Sequence, residues 1–177
     1  MQLIVVTGMP GAGKEEFVQV ARSLGYEVVR MGDVVRAEAK RQGITGTDKG
    51  VGGFADQERR LNGLDVWAKR SLPQVRSERT IIDGSRGLDE LEIFRQASGK
   101  GVLLVAIHSS PPSRYQRLKK RGRADAPASW SEFEERDRRE LSWGLGSLIA
   151  MADVMLLNDG TMDEFKERVK AFLTGLG

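Results

Sequence analysis

Gly8-Met9-Pro10-Gly11-Ala12-Gly13-Lys14 fits the phosphate-binding loop template G-x-x-x-x-G-K and stands just behind the apolar run Leu3-Ile4-Val5-Val6. Four consecutive apolar residues read as a strand buried on both faces, and Phe17, Ala21 and Leu24 then recur at helical spacing. A strand therefore feeds a tight turn and then a helix. Glycines let the backbone bend until successive N–H groups converge on phosphate oxygens, the helix N-terminus adds a favourable dipole, and Lys14 reaches the outer phosphates. Each part answers negative charge, so Gly8, Met9, Pro10, Gly11, Ala12, Gly13 and Lys14 are predicted to hold a nucleoside triphosphate, ATP. The dinucleotide fingerprint G-x-G-x-x-G is absent, which disfavours a nicotinamide cofactor.

The template continues with a Ser or Thr that ligates magnesium, but this chain has Glu15 and then Glu16. Direct hydroxyl coordination is lost. Two carboxylates in a first helical turn suit the helix dipole, and that capping role outweighs metal ligation, although both stay open. Glu15 and Glu16 are predicted to belong to the ATP-binding set, and in either role they repel a nearby triphosphate. Mg2+ is then expected to bind through water or through a different residue.

The 177 residues are predicted to form one domain, 1–177, large enough to place helices on both faces of a sheet. With 28 basic and 25 acidic side chains the net charge of +3 selects no partner, so the placement of the arginines matters more than their number. The absence of Cys excludes disulfides and thiolate metal sites, and a single His108 leaves little room for a histidine-based zinc centre. No apolar run approaches the roughly 18 residues of a membrane span, which predicts a cytoplasmic protein without a membrane partner.

Apolar runs at Val28-Val29, Thr80-Ile81-Ile82, Val102 to Ile107 and Val154-Met155-Leu156-Leu157 alternate with helical stretches. This predicts a three-layer α/β fold of about five parallel strands joined by crossover helices. Ser129-Trp130-Ser131-Glu132 and Thr161-Met162-Asp163-Glu164 have capping-box spacing. Gly43 to Phe54, rich in Gly, Thr and Asp, reads as a mobile loop ahead of a long helix carrying Trp67 and Ala68. Ligands of open parallel sheets sit at the carboxyl ends of the strands, so the residues just after each strand are the candidates for chemistry.

Those residues are Gly32-Asp33-Val34-Val35-Arg36 after the second strand and Asp83-Gly84-Ser85-Arg86 after the third. With the glycine-rich loop they resemble the signatures of the P-loop nucleoside monophosphate kinases, adenylate kinase above all: G-D-apolar-apolar-R, and D-G-x-x-R, here one residue shorter. Arg117-Leu118-Lys119-Lys120-Arg121 resembles the start of that family's lid, and Ala152-Asp153 through Gly160 resembles its last strand and adenine-side loop. The likeness is closest to an archaeal group of adenylate-kinase-related proteins, through Met31-Gly32-Asp33-Val34-Val35-Arg36 and Phe133-Glu134-Glu135-Arg136-Asp137-Arg138-Arg139-Glu140. Adenylate kinases carry Gly and Thr where this chain has Glu15 and Glu16.

The resemblance implies a P-loop NTPase fold with a short helical lid at about 113–139 and an acceptor-binding insert at about 33–78. It makes Arg36 and Arg86 clamps on an acceptor phosphate and Asp83 the organiser of magnesium-bound water. Arg117 and Asn158 would take the adenine side, Arg121 and Arg123 would stabilise the migrating phosphoryl group, and Arg136 would be the catalytic arginine of the returning lid helix. Independent chemistry agrees at Arg36 and Arg86, because a guanidinium fork matches phosphate bidentately and two at strand ends can converge on one anion. Asp33 has three roles open to it: helix cap, ribose contact or base. Arg114, Arg117 and Arg121 fall three and four apart, so a helix would present them on one face. His108 reads as a packed or hydrogen-bonded residue, and Trp130 and Phe133 read as core.

These residues predict an ATP-dependent phosphotransferase acting on a nucleoside monophosphate or similar small phosphorylated acceptor, by positioning and charge neutralisation. Two alternatives stand beside it: a nucleotide-binding regulator or slow ATPase without an acceptor, and a hydroxyl kinase resembling dephospho-coenzyme A kinase, with Asp33 as base. Nucleic-acid binding ranks last, because no aromatic-rich stacking motif accompanies the lid arginines.

Overall fold

The computed structural model describes residues 2–44, 48–98, 101–122 and 126–176. Strand β1 (Gln2–Thr7) lies at the centre of a five-stranded sheet, and Leu3, Ile4, Val5 and Val6 are completely buried between layers on both faces. The other strands are β2 (Glu27–Arg30), β3 (Arg79–Asp83), β4 (Val102–His108) and β5 (Val154–Leu157). Their order is β2-β3-β1-β4-β5, and all four pairings are parallel. The chain leaves β1 for the sheet edge, returns through β3 beside it, and then crosses to β4 on its other side. That reversal opens a crevice at the strand tips.

Register sets what gathers there. Val6 and Arg30 both pair with Asp83, so the tips of β1, β2 and β3 end at one level. Helices α1 (Lys14–Ser23) and α9 (Met162–Thr174) cover one face, where Phe17, Phe165 and Val169 meet Ile4 and Val6. The other face carries α2 (Met31–Arg41), α3 (Asp48–Asn62), α4 (Val66–Ser71), α5 (Leu88–Ala97) and α8 (Leu145–Ala150). Their core is built on Trp67, Phe94, Leu91 and Leu148. Helices α6 (Pro111–Arg121) and α7 (Trp130–Ser142) form the hairpin beyond β4. Among the described residues no helix is long and apolar enough to cross a membrane.

Of the stretch read as a loop from Gly43 to Phe54, residues 45–47 lie outside the described residues, and from Asp48 onward it is helical, in α3. Trp67 and Ala68 stand on the separate short helix α4, after a turn at Gly63 in the left-handed region. The glycines argue against a helix locally, but tertiary packing outweighs them. Phe54 and Ala55 are buried, the Phe54 ring meets Trp67 edge-on at 5.8 Å, and the Trp67 indole donates to the Ala55 carbonyl at 3.1 Å. Of the two capping boxes, that at Thr161 is complete. At Ser129 the hydroxyl caps the Glu132 N–H, but the Glu132 carboxylate turns to the N–H of Ala128. Phe133 is buried as expected of core, whereas Trp130 is 41% exposed at the rim of a cluster with Tyr115. His108, read as packed or hydrogen-bonded, is exposed at the end of β4 and so is not a packed residue.

Gly8 shows how closely the loop is fitted. Its φ is 147°, and a Cβ there would lie 2.4 Å from the carbonyl oxygen of Ile107, a backbone atom that cannot swing aside. Gly53, inside α3, has open space around its Cα. The same substitution therefore has opposite signs. Gly8→Ala should destabilise by about 2–4 kcal/mol, and Gly53→Ala should stabilise by about 0.5–1 kcal/mol, both read from urea unfolding.

Candidate active site

A cleft of about 560 Å³ opens at the carboxyl end of the sheet. The phosphate loop forms its floor. Gly13 is left-handed, with no room for a Cβ against the Asn158 amide, and that amide donates to the Ala12 carbonyl at 2.8 Å. Arg117 supports Asn158 in turn, donating to its carbonyl oxygen at 2.7 Å and to the Ser109 hydroxyl at 2.9 Å. Of the two residues assigned to the adenine side, Asn158 thus lies against the loop, and Arg117 braces it from the cleft wall.

Lys14 is the first residue of α1 and curls back over the loop, its ammonium donating to the Gly8 carbonyl at 2.5 Å. Burial lowers its pKa, against the opposing pull of Asp83 and Glu140. Asp83 ends β3 on the same wall. Burial raises its pKa, while Lys14 and Arg30 work in the other direction. The cleft thus holds a cation and a carboxylate that each lose hydration and face one another.

Arg86 lies in the turn after β3. Its Nε donates to Glu140 of α7 at 3.0 Å, and its guanidinium sits 5.4 Å over the Trp143 ring. Burial depresses the Arg86 pKa, but Glu140, Glu90 and Asp83 outweigh that and raise it. The turn is fixed by Glu90, whose carboxylate accepts from the Arg86 N–H at 2.7 Å, the Ser85 hydroxyl at 3.2 Å and Arg59 at 3.3 Å. Arg121 and Arg136 line the same cleft from α6 and α7. Arg123 lies outside the described residues.

Asp33 and Arg36 take a different position. They pair with each other on the exposed side of α2, and neither lines the cleft. Glu15 and Glu16 do line it. Glu15 accepts from Arg30, the last residue of β2, at 2.8 Å. Arg114, grouped by sequence with a charged stripe, is buried. It forms a two-point ion pair with Asp137 at 2.9 and 2.5 Å and donates to the Pro10 carbonyl at 3.1 Å.

Sequence reasoning missed two participants, Arg30 and Glu140. The signal for Arg30 was its place at a strand tip directly before Met31-Gly32-Asp33. The signal for Glu140 was its place at the end of the run Phe133 to Glu140, one turn after Arg136.

A UPF0200 protein of Thermoplasma volcanium is 47% identical over 172 residues, covering 97% of this chain and 96% of its own. The chain belongs to the UPF0200 family. A UPF0200 protein of Thermococcus sibiricus is 41% identical across 99% of this chain and 95% of its own. The model of the AAA domain family matches residues 7–134, from the phosphate loop into α7. Among solved structures, TT1252 from Thermus thermophilus is similar with a TM-score of 0.65 at 18% identity, covering 99% of this chain and 97% of that one. A shikimate kinase from Bacteroides thetaiotaomicron is similar with a TM-score of 0.67 at 17% identity, covering 97% and 98%. The fold is that of the P-loop kinases, and the chain is kinase-like in its architecture.

The raised Asp83 pKa gives a test with a definite sign. A carboxyl whose folded pKa lies above its unfolded value contributes stability that is complete below the ordinary carboxylate range and is lost as pH rises through the folded value. Asp83→Asn does not lose it. In thermal melts of the ligand-free protein, the midpoint of Asp83→Asn relative to wild type should climb as pH rises from about 4 towards neutrality. A difference independent of pH would contradict the burial of Asp83 as a charged group.

Proposed function

We propose that the chain is an ATP-dependent phosphotransferase that passes the terminal phosphoryl group to a nucleoside monophosphate or a similar small phosphorylated acceptor. One observation carries the reading. Lys14 of the phosphate loop, Asp83 and Arg86 at the tip of β3, Arg121 of α6 and Arg136 of α7 all line one cleft. Its volume of about 560 Å³ lies within the range of small-molecule sites. Phosphoryl transfer asks a protein chiefly to hold two anionic groups in line and to neutralise the charge between them, and convergent cations on rigid elements meet that demand.

In this reading the loop amides and Lys14 bind the outer phosphates of ATP, Arg86 orients the acceptor anion, and Arg121 and Arg136 meet the charge on the transferring group. Among the described residues no cluster of three or more acidic, His or Cys side chains could hold a metal. Mg2+ needs no such cluster, because it keeps its waters and takes only one or two carboxylates beside substrate phosphates. Asp83 would hold it through water. When bound, the ion neutralises charge on the phosphates. Asp33 points the choice of acceptor away from a hydroxyl, since it pairs with Arg36 outside the cleft rather than standing within it as a base.

The regulator alternative draws on the Arg86–Glu140 pair, which supplies the candidate acceptor clamp with a counter-charge from the protein itself. An acceptor screen with coupled ADP detection, using Lys14→Ala as the blank, separates the two. A monophosphate acceptor should stimulate ADP release. Arg86→Ala should then lower kcat/KM for that acceptor about a hundredfold with little change in KM for ATP, and Asp33→Asn should only weaken transfer. ATP binding without acceptor-dependent ADP across the panel would favour the regulator.

A further inference from the structure

The position that follows Lys14 poses a problem in this fold. Glu15 brings a carboxylate into the first turn of α1, on the wall of the cleft, where a triphosphate brings several negative charges. Asp83 adds a second carboxylate, close enough that Glu15 helps to raise its pKa. An uncompensated Glu15 would work against the helix dipole and the loop amides just where they favour an anion.

Arg30 stands at this position. It is the last residue of β2, its register partner across the sheet is Asp83, and its guanidinium donates to Glu15 at 2.8 Å. Both side chains are about three-quarters buried, so solvent screens the pair only in part. Arg30 also lies near Asp33 and Asp83, so one cation serves three acids. Its Nε is buried without a hydrogen-bond partner, an arrangement that packing alone does not reward. Arg30 lies directly before the helix that carries Asp33 and Arg36.

Resting on the phosphotransferase reading, we propose that Arg30 is the counter-charge for Glu15 that keeps the cleft receptive to a triphosphate. It acts through Glu15 and so is a positioning residue rather than a catalytic one. Its worth to nucleotide binding should exist only while Glu15 is charged, and should be larger when no divalent cation shields the phosphates.

A double-mutant cycle tests this, read by calorimetric binding of a non-hydrolysable ATP analogue, once with Mg2+ and once with EDTA. Arg30→Ala should weaken binding about tenfold with Mg2+ and more in EDTA. Glu15→Gln should bind at least as tightly as wild type. Arg30→Ala combined with Glu15→Gln should return to within about threefold of wild type, and Arg30→Lys should keep most of the affinity, because charge rather than fork geometry is required. Melting curves confirm that each variant is folded. If wild type binds and the double variant is as weak as Arg30→Ala, Arg30 acts by some route other than Glu15 and the proposal falls alone. Weakening by Glu15→Gln itself would also overturn it, by making the carboxylate an asset. Failure of wild type to bind the analogue would overturn the nucleotide reading and this inference together.

Discussion

The site depends on three parallel strands ending at one level. The ladder that pairs Val6 and Arg30 with Asp83 decides that a lysine-bearing loop and a carboxylate share one wall, with Arg30 bonded to Glu15 of that wall. Slipping any strand by one residue would send its tip side chain to the opposite face. The register is held by β1, whose interior is buried on both sides, so its apolar side chains specify position as well as supplying hydrophobic stability. The loop after β1 inherits this precision because it is packed against backbone. Gly8 abuts the Ile107 carbonyl of β4, and Gly11 lies against the Arg114 carbonyl of α6.

On this frame the cleft is a set of matched opposites rather than a bare basic pocket. Lys14 faces Asp83, Arg86 is bonded to Glu140, and Arg30 to Glu15. Unit charges about 4 Å apart at an effective dielectric near 20 interact by about 4 kcal/mol, comparable in size to the hydration they give up. An incoming polyanion therefore exchanges partners more than it finds vacant ones. Its net affinity is the difference between the pairs it makes and those it disturbs, so single acidic residues here can govern binding as strongly as the cations do.

The sheet, its parallel sense and the phosphate loop were legible because each has a local signature: apolar runs of strand length, and glycines at fixed offsets. The placement of Arg86, Arg121 and Arg136 on one cleft with Lys14 followed from the rule about strand ends and from family resemblance. What was not legible was long-range. Helix α3 forms through the packing of Phe54 and Ala55 on Trp67, a contact that no window of local propensity contains. Arg114 shares the helical spacing of Arg117 and Arg121, but α7 supplies Asp137 and buries it. Arg36 fits a phosphate-clamp motif in sequence, while in space it pairs with Asp33, one turn away, on an exposed face that does not line the cleft. In each case periodicity gave the face of an element, and a partner remote in sequence or an adjacent charge decided what that face did.

Arg114 also explains why α7 delivers two cleft residues with such different charges. Phe133, Asp137 and Glu140 fall on one helical face, with Arg136 beside them, and the Arg114–Asp137 pair fixes the rotation of that face. Arg114 lies over the Phe133 ring at 4.9 Å and reaches the phosphate loop at Pro10, so loop, α6 and α7 share one joint. Glu140 is then aimed at Arg86, and Arg136 faces the cleft one turn earlier. Apolar residues of similar volume often match a buried ion pair in stability, but at 114 they would also remove the donor to the Ser109 and Pro10 carbonyls. They would not preserve the angular precision of a two-point ion pair. The pair is therefore best understood as a device for aiming α7, and its value lies in the geometry of Arg136 and Glu140 more than in the free energy of folding.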